Sequence, residues 1–174
     1  DFNSPYAKSV YDKGNIIALS MNMNFQTSAD GKTQDSAPIL FRDFQNAVFD
    51  QKLIQGLNFM VEKEPPYLIH CVEGKDRTGF VCMVIEALAG ASYDEIINDY
   101  MITYDNYYAI TKTKDSSKYE VIKGKNIDVM LKTIINDDKV DIKTADYKKE
   151  IKEYLLSKGM TQANINALET KISE

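Results

Sequence analysis

The only histidine of this chain, one of its two cysteines and one of its two arginines fall within eight consecutive residues, His70-Cys71-Val72-Glu73-Gly74-Lys75-Asp76-Arg77. Five residues separate Cys71 from Arg77, and Thr78-Gly79 and a long apolar run follow. That spacing places a thiolate and a guanidinium around one small anion, and the expected anion is phosphate. A thiolate is a useful nucleophile at neutral pH only when a helix N-terminus, cations or hydrogen-bond donors lower its pKa. All three are expected here. The segment leads into a helix whose first amides point back at the loop. Gly74 lets the backbone turn its N–H groups inward as an anion nest. Arg77 can grip two phosphate oxygens at once, which lysine cannot, and Thr78 can donate its hydroxyl to Cys71.

The chemistry this implies is double displacement. Cys71 attacks phosphorus in line, a phospho-cysteine forms, and water hydrolyses it. Backbone and side-chain groups of Val72, Glu73, Gly74, Lys75, Asp76 and Arg77 would hold the phosphate oxygens, and no metal or other cofactor is required. The leaving group needs a proton. Asp76, inside the loop, is the first candidate for the acid. Its rivals are Asp43, beside Arg42 and upstream of the loop, and more weakly Asp30 and Asp35. Asp76 could instead serve only as a helix N-terminal carboxylate favoured by the dipole, or as a salt-bridge partner, and Asp43 would also suit a helix N-cap.

Stepping outward, residues 67–70 (YLIH) form a short apolar run that delivers the chain into Cys71 and reads as a strand. From Thr78 the sequence FVCMVIEALAG is apolar on nearly all sides and closes at Gly90, as a buried helix does. Residues 15–21 (NIIALSM) read as a second buried strand, 22–38 as a loop, and 44–61 as an amphipathic helix ended by Glu64-Pro65-Pro66. Ser92 with Glu95 has the spacing of a capping box for a helix running to about 108. Further helices are expected near 126–135, 144–157 and 161–172. A strand that enters an anion-binding loop normally lies in a parallel sheet covered by helices. The expected fold is therefore α/β, with a helix-rich C-terminal half. Only two strands can be counted, so the others are either cryptic or, as the favoured reading, supplied by a segment preceding Asp1, and residues 1–174 are read as one domain lacking an N-terminal part.

Composition fits a globular chain, with 174 residues, 44% of them hydrophobic and 27% charged. A net charge of -5 argues against a general nucleic-acid binder. Cys71 and Cys82 make no disulfide framework and are read as reduced thiols, Cys82 as a core residue with a protective disulfide to Cys71 as the minor alternative. No apolar run approaches the roughly 20 residues of a membrane helix, and nothing resembles a signal peptide. A soluble protein is expected, and the sequence does not choose between a cytoplasmic and an exported one.

The continuous match His-Cys-x-x-Gly-Lys-x-Arg-Thr-Gly between an apolar run and a helix resembles the signature of the cysteine-dependent protein tyrosine phosphatase superfamily. Gly-Lys-Asp-Arg-Thr-Gly is similar to its atypical bacterial branch of tyrosine and lipid phosphatases, and the resemblance extends to residues 95–108 and 154–168. It implies a doubly covered parallel sheet, with Cys71 as nucleophile and Arg77 as phosphate ligand. It also implies that His70 orients the loop, that Thr78 assists the thiolate beside Gly79, and that Lys75 and Asp76 contact extra phosphates and supply an in-loop acid. A buried histidine satisfied by backbone groups is the plainer reading of His70. Tyr100, Tyr104 and Tyr108 recur at helical spacing and are read as packing, with a substrate rim as the alternative. The substrate implied is a phosphoprotein, on tyrosine and also on serine or threonine. The alternatives are a phosphoinositide or inositol phosphate, and a catalytically silent phosphate-binding module.

Overall fold

The computed structural model describes residues 4–17, 19, 21 and 47–173. Eight helices occur among them: α1 (Pro5–Asp12), α2 (Ala47–Glu62), α3 (Arg77–Ala89), α4 (Tyr93–Tyr108), α5 (Ser116–Lys125), α6 (Ile127–Ile135), α7 (Tyr147–Ser157) and α8 (Gln162–Ser173).

The expected α/β fold with a parallel sheet is not what the described residues form, because no strand and no sheet occurs among them. The segment 67–70 shows why. Tyr67 and Ile69 are half-buried while Leu68, at 88% exposure, and His70 face out. A strand inside a covered parallel sheet is buried on both faces, and a strand exists only as a member of a ladder. This run has neither a second cover nor a paired neighbour among the described residues. The described positions of 15–21 likewise carry no strand pairing. The expected loop 22–38 lies outside the described residues.

The helices follow the sequence more closely. α3 is central: Phe80, Met83, Val84, Ala87 and Leu88 are buried along it, and α4, α7 and α8 pack around it. A helix apolar on nearly every side has to lie inside a core. Fully burying each of its large side chains contributes roughly 1.5–3 kcal/mol. The helix ends on Gly90, with φ 94°, where Gly90 N–H donates to Ala87 O at 3.1 Å and Ala91 N–H to Glu86 O at 2.9 Å. This left-handed stop is easiest for glycine. The next helix opens with the expected capping box, in which Glu95 N–H donates to Ser92 Oγ and Ser92 N–H to Glu95 Oε2 at 2.8 Å. α1 and α5 are the helices the sequence reading misses; in α5 Tyr119 is the one buried residue and no apolar stripe marks it.

α2 is fastened to this core from several sides. Phe49 meets Phe80 edge-on at 5.4 Å, Lys158 pairs with Asp50 at 2.9 Å, and Asn164 donates to Asn58 at 2.9 Å. Tyr67 then closes back on the end of α2, its hydroxyl donating to Met60 O at 2.8 Å and Lys63 O at 2.6 Å. The loop 70–77 is thus held between a fixed α2 terminus and the first turn of α3. Among the described residues no helix is long and apolar enough to cross a membrane.

Candidate active site

The loop from Cys71 to Asp76 folds back on its own cysteine. Gly74 takes φ +69° with open space around it, a conformation glycine adopts at little cost. The turn this permits brings the amides of Glu73 and Gly74, and the amide and hydroxyl of Thr78 at the start of α3, onto the Cys71 sulfur. Partial burial works to raise the thiol pKa, but these hydrogen bonds outweigh it and hold Cys71 below the ordinary thiol value. Cys82, expected in the core but only half-buried on α3, goes the other way. Burial and the carboxylates of Glu86 and Asp99 push it up to about 11. Both thiols are free, and only Cys71 is poised to ionise.

On the residues that follow, Asp76 Oδ1 and Arg77 Nε are buried with no hydrogen-bond partner among the described residues. Buried polar groups are nearly always paired, so these two need a reason. Among the described residues the Arg77 guanidinium is tethered by one long bond, Nη1 donating to Met21 O at 3.4 Å. Asp76 occupies the N-cap position of α3, with backbone angles already helical, and its side chain caps nothing. Burial raises its pKa, an effect strengthened by Glu73 and opposed by the charges of Lys75 and Arg77, and the net shift is upward.

Lys75 reaches α4. Its Nζ pairs with Glu73 at 3.0 Å and sits 5.6 Å from the ring centroids of both Tyr104 and Tyr108. The tyrosine column Tyr100-Tyr104-Tyr108 is divided in role. Tyr100 and Tyr104 are buried packing, whereas Tyr108 is half exposed beside Lys75. His70 is exposed, which corrects the reading of it as a buried histidine. Val72, at 86% exposure, stands on the outer rim of the loop. Asp43, Asp30, Asp35 and Arg42 lie outside the described residues. A largely apolar cavity of about 890 Å³ adjoins Cys71, Arg77 and Thr78 and is walled by Leu53, Leu57 and Ile69.

Gly79 carries a structural duty that the sequence motif does not explain. A Cβ there would lie 2.8 Å from Tyr100 Cε2 and 3.0 Å from Cδ2, and the buried Tyr100 ring has little room to retreat. Gly79→Ala should gain up to about 1 kcal/mol of helix propensity yet lose about 1–3 kcal/mol to overpacking. The expected net result is a lower urea midpoint at unchanged m-value, and an equal or higher midpoint would contradict this account.

Two residues escaped the sequence reading. Met21 supplies a carbonyl to Arg77 from 56 positions away, and no local signal announces it. Asn126 is 1% exposed and donates to Tyr104 Oη at 2.8 Å, fixing the ring behind Lys75.

Residues 9–174 match the family model described as the tyrosine phosphatase family. The triple specificity protein phosphatase PtpB of Mycobacterium tuberculosis is 32% identical over 66 residues, which cover 38% of this chain and 24% of that protein. The matched part spans about a quarter of that relative's length. No solved structure matches the chain.

Proposed function

The chain belongs to the tyrosine phosphatase family, and from that premise we propose that it hydrolyses phosphotyrosine, and also phosphoserine or phosphothreonine, through a phospho-cysteine on Cys71. The observation that carries this reading is a loop thiol of lowered pKa, hydrogen-bonded by Glu73, Gly74 and Thr78, with Arg77 lining the same cavity. The relative's printed triple specificity supports a broad range of phosphorylated substrates, and the family match over 9–174 supports one phosphatase domain.

In the proposed reaction the Cys71 thiolate forms an S–P bond as the P–O bond to the leaving group breaks. Arg77 and the loop amides hold the equatorial oxygens, where charge is spread in the transition state. Asp76 gives its proton to the departing oxygen. It then takes one from the water that attacks phosphorus, so the S–P bond breaks, inorganic phosphate leaves and the starting protonation state returns.

The pH dependence follows from two opposite shifts. Activity rises as Cys71 ionises, at lower pH than an ordinary thiol would allow, and falls as Asp76 loses its proton, at higher pH than an ordinary carboxyl would. Asp76→Asn should remove the falling limb of the kcat/KM profile. It should also cost on the order of 10²-fold in kcat on phenyl phosphate, with a smaller loss on p-nitrophenyl phosphate, whose leaving group scarcely needs a proton. An unchanged leaving-group dependence would move the acid elsewhere, with Asp43 next in line.

A second reading, a phosphoinositide or inositol-phosphate phosphatase, draws on Lys75, a cation in the loop itself. The deciding experiment compares turnover of phosphotyrosine peptides and phosphoinositides at matched concentration, in chelator, with vanadate as inhibitor. Preference for the peptides supports the first reading and preference for the lipid supports the second. Phosphate binding without turnover of any substrate would leave only a silent binding module.

A further inference from the structure

Lys75 is the fixed member of its ion pair. Its side chain is 16% exposed, against 52% for Glu73, and it is held against the rings of Tyr104 and Tyr108. Those rings belong to α4, where Tyr104 is secured by the Asn126 amide and stacks at 5.8 Å from Tyr108. The carboxylate of Glu73 covers the ammonium from the solvent side. The Lys75 hydrogen bond and charge hold Glu73 below the ordinary carboxylate range, and the Tyr108 hydroxyl assists. An exposed carboxylate on a flexible stem is the partner that can leave, whereas a lysine packed between aromatic faces is not.

We infer that Glu73 is a specificity residue, an internal anion that occupies Lys75 and so disfavours phosphomonoesters bringing a second phosphate to this loop. The inference deepens the proposed function and rests on the loop being the phosphate site. A monophosphate with no further charge leaves the Glu73–Lys75 pair closed and pays nothing for it. A substrate with a second phosphate reaches Lys75 only after Glu73 is displaced, so the cation's attraction is largely spent on exchanging one anion for another. Exposed carboxylates are cheap to displace, and the resulting discrimination is therefore a bias and not an exclusion.

The test uses the full chain carrying Cys71→Ser, in which bound phosphomonoesters stay uncleaved, and titrates a vicinal inositol bisphosphate and phenyl phosphate by calorimetry at fixed ionic strength. Adding Glu73→Gln should tighten the bisphosphate about fivefold relative to phenyl phosphate. The same substitution made together with Lys75→Met should leave that ratio where Lys75→Met alone puts it. A ratio unmoved by Glu73→Gln overturns the inference. So does an equal gain when Lys75 is absent, which would mean only a change in overall charge, and so does failure of both ligands to bind. Turnover of p-nitrophenyl phosphate by the protein with Cys71 intact is read separately. Its absence counts against the proposed function, whereas an unmoved ratio in an active enzyme counts against Glu73 alone.

Discussion

Cys71→Ser is expected to lower turnover of p-nitrophenyl phosphate by on the order of 10⁴-fold or more. The hydrogen bonds that hold the Cys71 thiol below its ordinary value come from Thr78, Gly74 and Glu73, and they can shift a pKa by a few units at most. A serine hydroxyl in the same nest stays protonated and is a poor nucleophile for phosphorus without a base beside it. The phosphate-binding groups are untouched by the change. Binding of phenyl phosphate should therefore persist within a few-fold while the chemical step is lost, which separates loss of the nucleophile from loss of the site. Activity close to wild type in the serine variant would exclude the phospho-cysteine and with it the double displacement. A protein that had also stopped binding phenyl phosphate would point to a damaged loop instead.

The sequence shows the chemistry of this loop more clearly than the fold around it, for physical reasons. A nucleophile, its hydrogen-bond donors and its cation lie within a few residues, so spacing alone brings Cys71, Gly74 and Thr78 together, and a single left-handed glycine is enough to close the turn. The apolar run of α3 and the capping box of α4 are equally local signals and appear where the pattern puts them. Sheet formation is not local. The segments 15–21 and 67–70 have the composition of strands, yet composition does not supply a neighbour to pair with, and burial on alternate sides of 67–70 shows a segment covered on one face only. Nor does spacing reveal which way a lysine turns. Lys75 sits inside the motif, and its ammonium rests against the tyrosines of α4, about thirty positions on. The sequence likewise named ionic neighbours as one device for activating the thiol, whereas hydrogen bonds are what lower it here.

That last distinction separates the duties of Arg77 from those of the nest. Arg77→Lys should lower kcat/KM for p-nitrophenyl phosphate by roughly 10³-fold, in line with the loss of an oriented donor pair from a transition-state cradle and with the inability of an ammonium to bind two oxygens in a fixed fork. The buried Nε, unpaired among the described residues, and the Nη1 group on Met21 O are both removed by the change, so lysine would have to reach the phosphate as a single hydrated charge while the Met21 carbonyl loses its donor. The thiol should not notice. Thr78, Gly74 and Glu73 remain in place, and the pH at which iodoacetamide begins to alkylate Cys71 should stay where it is in the wild type. Turnover that falls while the alkylation profile holds still assigns Arg77 to the phosphoryl group in transit. An alkylation profile displaced to higher pH would instead make the guanidinium part of what ionises Cys71, and the hydrogen-bonded nest would then not be sufficient to explain a reactive thiol.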